Sequence, residues 1–197
     1  MDSMTRTPGR LARLRTVLGR RQTDLRIVLE EITNAHNAAA VLRTCDAAAI
    51  LHVDLIQAEP APLPFNQAIT TRADKWLVLH HHPSPAACYE TLKAAGFQIA
   101  AADLSPKAIP HTELDYCRPT AIVFGSEREG LSPAARDGAD VRIKIPMFGM
   151  VQSLNLSVSA GIILYEAVRQ RLARGFFDSP RLSPEEFEKL LAGWMEL

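Results

Sequence analysis

Cysteine is scarce. The 197 residues hold three, Cys45, Cys88 and Cys117, far apart and in no metal-ligand spacing. That excludes a disulfide scaffold and a cysteine-based zinc motif, and predicts free thiols in a reducing, cytosolic compartment. Long apolar runs are missing, so no membrane-spanning helix is expected. The N-terminal stretch MDSMTRTPGRLARLRTVLGRR lacks the apolar centre of a secretion signal. The glycine signatures of dinucleotide and nucleoside-triphosphate sites are absent, and no serine sits in a G-x-S-x-G setting. Net charge is also absent, with 22 basic and 22 acidic residues.

The charge is nevertheless unevenly placed. Residues 1–26 carry seven arginines (Arg6, Arg10, Arg13, Arg15, Arg20, Arg21 and Arg26) against Asp2 and Asp24. A second group is Arg169, Arg171, Arg174 and Arg181. Such clusters either bind phosphates through a salt-dependent attraction or form solubilising helix faces. Arginine's bidentate fork favours phosphate for the first cluster. The remaining composition, 47% apolar and 22% charged, is that of an ordinary globular chain with room for one sizeable core.

Apolar periodicity predicts helices over residues 8–21, 38–49, 84–95, 132–139 and 153–174, and a last one from Pro184 with Ser183 as N-cap. A short helix is predicted over 66–73, after a loop with Pro60, Pro62 and Pro64. The apolar stripe of the 153–174 helix reads Leu154, Val158, Ile162, Tyr165, Val168 and Leu172. About six strands lie between: 25–29, 52–58, 76–81, 97–102, 120–125 and 141–146. They are apolar on both faces, as covered parallel strands are. The fold class is therefore α/β with a mostly parallel sheet, in one domain with helical N- and C-terminal extensions.

Ligand sites of such sheets lie past the carboxyl ends of the strands. Three junctions occupy such places. The first, N34-A-H-N37-A-A-A-V-L-R43-T-C-D46, puts Asn37 at an N-cap position and Arg43 six residues on, roughly 9 Å along a helix axis. Arg43 either pairs with Asp46 three residues later or holds a phosphate or developing oxyanion. His36 is a loop histidine that is either a base or plain surface. The second, G125-S-E127-R-E129-G130, brackets a charged loop with glycines. The third, I145-P-M-F-G149-M-V-Q152-S-L-N155-L-S157, runs from a strand into a helix start with Ser153 and Asn155 at its N-terminus. Each taken alone is also a bland loop or capped helix. His80, His81 and His82 are adjacent and do not naturally converge, so no metal is expected. Trp76 and Trp194 read as packing residues.

These junctions resemble the three motifs of the SPOUT methyltransferases: N-A-H-N-A-A-A-V-L-R-T-C-D, I-V-F-G-S-E-R-E-G-L-S and I-K-I-P-M-F-G-M-V-Q-S-L-N-L-S-V-S-A. RRQTDL at 20–25, D-Y-x-x-P-T-A at 115–121 and the tail Y-E-A-x-R-Q-R…G-F-F-D-S-P-R-L resemble the branch that methylates the ribose of guanosine 18 in the tRNA D-loop. The resemblance covers nearly the whole chain. It implies a basic extension over 1–24 and a methyltransferase domain over 25–174. Its carboxyl half would be tied in a deep trefoil knot, an exception to the rule against knotted chains. A helical extension follows over 175–197.

The resemblance further implies S-adenosyl-L-methionine as cofactor, held largely by backbone at Ala102, Gly125, Ile145, Ser153 and Leu154. Ala102 departs from a threonine common in that branch. Arg43 matches the catalytic arginine, with Asn37, Glu127, Ser153 and Asn155 in support. The N-terminal Arg10, Arg13, Arg20 and Arg21 match positions proposed to hold tRNA, and His36, Arg169 and Arg171 are expected to contact it as well. The implied assembly is a cytoplasmic homodimer through the 153–174 helix, with no metal. The alternatives are an enzyme of the same fold acting on ribosomal RNA or another tRNA position, and a noncatalytic knotted RNA-binding protein. Intact Arg43, Glu127 and Asn155 speak against the latter.

Overall fold

A computed structural model describes residues 7–58 and 73–197. The predicted proline-rich loop at 60–64 and most of the predicted 66–73 helix lie outside them. Helix α1 (Pro8–Leu18) starts at Thr7, whose side chain accepts from the Arg10 amide, and stops before Gly19. Seven strands follow in chain order: β1 (Leu25–Glu30), β2 (His52–Ile56), β3 (Val78–His82), β4 (Gln98–Ala102), β5 (Ile109–Pro110), β6 (Thr120–Phe124) and β7 (Val141–Lys144). The helices between and after them are α2 (Ala35–Ala47), α3 (Pro85–Ala94), α4 (Pro133–Gly138), α5 (Leu156–Ala173) and α6 (Pro184–Glu196). The extra strand, β5, is two residues long and hides in a stretch predicted as loop, because two residues carry no readable alternation.

The sheet order is β3-β2-β1-β6-β4-β7-β5, and each pairing is parallel. β6 is buried at every position, as a central strand covered on both faces must be. One face packs against α2 and α5 through Ile27, Leu29, Leu42, Ile122, Ile163 and Leu164. The other packs against α3 and α4 through Val28, Val123, Cys88, Tyr89 and Leu92. A third cluster joins α1 to α6 through Leu14, Leu18, Leu191 and Trp194, with Trp76 edge-on to Trp194 at 5.2 Å. Ser183 caps α6 as predicted, in a reciprocal capping box with Glu186.

Two predicted helix starts shift. Asn34, not Asn37, caps α2, because its Oδ1 accepts from the amides of both His36 and Asn37. Helix α5 starts at Leu156 with Asn155 as N-cap, so Ser153 precedes it. The inward stripe of α5 is Leu156, Ala160, Ile163, Leu164 and Ala167. The stripe read from the sequence is largely the outward one, since Val158, Ile162, Tyr165 and Leu172 are exposed. Helix α5 is thus apolar on two faces, and periodicity alone does not say which faces the sheet.

Candidate active site

The carboxyl ends of β1, β6, β4 and β7, neighbours in that order, open on one cavity of about 1220 Å³. Each strand contributes the segment just beyond it: Thr33 and Asn34 after β1, Gly125 to Leu131 after β6, Asp103 after β4, and Ile145 after β7. Ser153, Leu154 and Asn155, leading into α5, complete the wall. The three junctions singled out in the sequence therefore meet at one place, although about 90 residues separate the first from the second.

At the rim their side chains form a directed chain of hydrogen bonds. Asn155 Nδ2 donates to Asn37 Oδ1 at 3.1 Å, and Asn37 Nδ2 donates to Glu127 Oε1 at 2.7 Å. Asn155 Oδ1 accepts from the Ser157 amide at 2.9 Å and from its hydroxyl at 2.7 Å. Capping α5 thus fixes which way the Asn155 amide points, and that sets Asn37 in turn. Asn34 has already taken the cap of α2, which frees Asn37 to reach across the cavity. Ser157 is a member of this network that the sequence reading missed, for want of any pattern linking it to Asn155.

The loop bearing Glu127 is pinched at its base. Ser126 and Gly130 exchange two backbone hydrogen bonds, and a Cβ on Gly125 would lie 2.2 Å from the Gly130 carbonyl carbon. Gly130 has φ +69°, a conformation that glycine adopts without strain. Ala102, Gly125, Ile145, Ser153 and Leu154 all line the cavity, as do the charged side chains of Arg128, Arg136 and Lys144. An apolar wall of Leu104, Ile145, Met147 and Leu154 beside a polar rim suits a ligand that is part purine, part polar chain.

Arg43 lies on α2, exposed, and outside the residues that line this cavity. It has no acid partner among the described residues. The local pairing with Asp46 is not formed, because Asp46 Oδ1 is held by Arg21 Nη2 at 2.5 Å. His36 is exposed beside Asn37.

Two predicted tRNA contacts are corrected. Arg21 is fully buried: it donates to Asp46 Oδ1 and to the carbonyls of Asp46, Ile50 and Trp76, and stacks over Trp194. Arg171 is equally buried, donating to Asp24, Gln22 and the Tyr116 carbonyl. Burial lowers the pKa of each guanidinium, while the neighbouring aspartate opposes that shift. Neither can reach a phosphate. In the second arginine cluster Arg174 pairs with Asp115 and Arg181 with Asp24, so only Arg171 is enclosed and the other arginines are ion-paired at the surface. Arg13 and Arg20 are exposed, Arg10 is half-buried and donates to the Trp194 carbonyl, and exposed Arg169 pairs with Glu166.

The histidine run divides. His82 Nε2 bonds Asp54 Oδ1 at 2.8 Å, while His80 Nε2 meets His52 Nδ1 at 3.0 Å. Asp54, His82 and Cys88 bring ligand-type atoms within 4.8 Å of one another, but Arg26 already sits 3.4 Å from the Asp54 carboxylate and supplies its countercharge.

Residues 24–165 match the SpoU rRNA Methylase family. The chain is 45% identical to the tRNA (guanosine(18)-2'-O)-methyltransferase of Thermus thermophilus, over 96% of its own length and 97% of the relative's. It superposes on the crystal structure of the Aquifex aeolicus TrmH/SpoU tRNA modifying enzyme with TM-score 0.90 and 43% identity, covering 95% of each chain. The SpoU methyltransferase AviRb of Streptomyces viridochromogenes, solved in complex with the cofactor AdoMet, matches with TM-score 0.69 and 25% identity over 77% of this chain and 60% of that one.

Proposed function

We propose, from the premise that the chain belongs to the SpoU rRNA methylase family, that it transfers a methyl group from S-adenosyl-L-methionine to the ribose 2'-hydroxyl of guanosine 18 in tRNA. The observation that carries this reading is the Asn155–Asn37–Glu127 chain at the rim of the four-strand cavity. The wall at Gly125, Ile145, Ser153 and Leu154 would hold the cofactor. When bound, its sulfonium supplies an already activated methyl group, so the protein's work is alignment and charge placement. The proposal calls for no metal.

The hydroxyl must lose a proton as its oxygen attacks. Glu127 spends only Oε1 on Asn37, which leaves Oε2 to accept from a ribose hydroxyl. Arginine is protonated at any working pH, so Arg43 serves by holding a substrate phosphate and stabilising developing negative charge. Ser153 adds a hydroxyl to the cavity wall. Arg10, Arg13, Arg20 and Arg169 are the arginines retained for tRNA backbone, and His36, next to Asn37 in the first turn of α2, is retained as a separate contact near the rim.

Arg43 stands outside the cavity wall of its own chain, and the outward face of α5 is apolar. Both features support a homodimer in which α5 faces a second copy and Arg43 completes a site shared between copies. The proposed arrangement includes the deep knot in the carboxyl half of residues 25–174, with 1–24 and 175–197 as extensions, and action on tRNA in the cytoplasm. Incubating a tRNA pool with methyl-labelled cofactor and mapping the modified ribose tests the reading. Label at guanosine 18 is expected. Label confined to another tRNA position, or a tRNA pool that takes up no label, overturns it.

A further inference from the structure

Glu30, the last residue of β1, is a carboxylate at 4% exposure that follows the apolar run Ile27, Val28 and Leu29. No cation pairs with it among the described residues. Both its oxygens are instead spent on one residue: Oε2 accepts from the Ser132 amide at 2.9 Å, and Oε1 accepts from the Ser132 hydroxyl at 2.6 Å. Ser132 Oγ in turn accepts from the Ala135 amide and caps α4. A buried carboxylate with no countercharge is costly, so its retention asks for a role.

Its place in the chain suggests one. Ser132 directly follows the pinched loop that bears Glu127, whose preceding carbonyl at Leu131 is held by Arg136 Nη2 at 3.0 Å. Just beyond Glu30, Glu31 turns the backbone with φ +50° toward Thr33, Asn34 and α2. Glu30 therefore ties the segment that carries Asn37 to the loop that carries Glu127, from beneath, while lying outside the cavity wall itself.

We infer that Glu30 is a positioning residue that, through its bidentate hold on Ser132, sets the 125–131 loop against Asn37 and so controls the cofactor cavity. The cofactor part of this inference rests on the proposed methyltransferase reading. The loop part does not.

The test compares Glu30→Gln and Ser132→Ala with Tyr89→Phe. Tyr89 also binds α4, its hydroxyl donating to the Ala135 carbonyl at 2.9 Å, and it lies outside the cavity. Its loss destabilises the same helix without touching the loop base. Glu30→Gln is expected to speed hydrogen exchange at the Ser126 and Gly130 amides, which the pinch protects. It should also weaken S-adenosyl-L-methionine binding by about tenfold, the scale of one well-placed hydrogen bond, with tRNA affinity unchanged. Ser132→Ala should do likewise, and the double variant should be no worse than the more damaging single one. Unchanged exchange and cofactor affinity in Glu30→Gln overturn the inference. So does an equal loss in Tyr89→Phe at matched melting temperature, which would reduce Glu30 to general stability. If Glu30→Gln fails to fold, Ser132→Ala carries the same comparison. Wild-type protein that binds no S-adenosyl-L-methionine refutes the functional reading, while the exchange data still decide whether Glu30 anchors the loop.

Discussion

Arginines that look alike in sequence do opposite work here, and burial separates them. Arg21 and Arg171 are fully enclosed and each holds several elements together. Replacing either with alanine strips Asp46 of its arginine, or Asp24 of one of its two, and leaves several carbonyls without their donor, and should cost about 3–5 kcal/mol of stability, read as a lowered urea midpoint. Arg20, one position from Arg21, is exposed. Arg20→Ala should leave the urea midpoint in place and weaken tRNA binding. Arg43→Ala should abolish methylation while cofactor affinity stays near normal, since Arg43 does not line the cavity. Near-normal turnover in that variant would sink its assignment. The sequence revealed which arginines occur in clusters. It could not reveal which of them fold inward, because that depends on Asp24, Asp46 and carbonyls brought in from distant strands and helices.

At the scale of elements, strands and helices were largely legible because buried parallel strands write continuous apolar runs such as TAIVF. Their ends were less so. Asn34 and Asn37 both suit an N-cap, and the structure gives the cap to Asn34, whose Oδ1 accepts from the His36 and Asn37 amides, while Asn37 is bonded to Glu127 and Asn155. Helix α5 shows a deeper ambiguity, since two apolar stripes share it and the more regular one faces outward. Ile162→Glu on that outward stripe should convert the proposed dimer to a monomer of 21.7 kDa by sedimentation, with helicity retained. Strands β2 and β3 carry a pH dependence. Burial above all, then Arg26 and His80, pulls the His52 imidazole down to about 4 from 6.5. The unfolded chain takes that proton near pH 6.5 and the folded one does not, so stability is full above 6.5 and is lost as pH falls toward 4. The loss is roughly 3 kcal/mol. His52→Gln should narrow the gap between melting temperatures at about pH 7.5 and about pH 5.

For the whole molecule, the sum of charges misleads and their distribution informs. The chain is neutral, yet Arg13 and Arg20 face solvent near α1 while most arginines of the second cluster are paired within the fold. The tRNA footprint should therefore be carried more by the amino-terminal arginines than the sequence suggested. Affinity should fall as salt rises, and each of Arg13→Ala and Arg20→Ala should reduce the slope of log affinity against log salt by about one. A slope unchanged in both would place the footprint elsewhere. The convergence of three motifs on one cavity was predictable from the parallel sheet, because β1, β6, β4 and β7 all end on the same side. Which motif side chains touch each other was not.

The pairing of α1 with α6 also bears on how the protein is born. Leu14 and Leu18 find their cover on Leu191 and Trp194, which leave the ribosome roughly 170 residues later. At about 5–20 residues per second, that wait is on the order of ten to thirty seconds. During it the arginine-bearing helix has only the cover that Leu51 and Trp76 of the same cluster give and lacks that of α6. It reaches its final packing only when translation has passed Trp194, so a chain interrupted before that point keeps the exposed Arg13 and Arg20 on a helix that lacks its α6 partner.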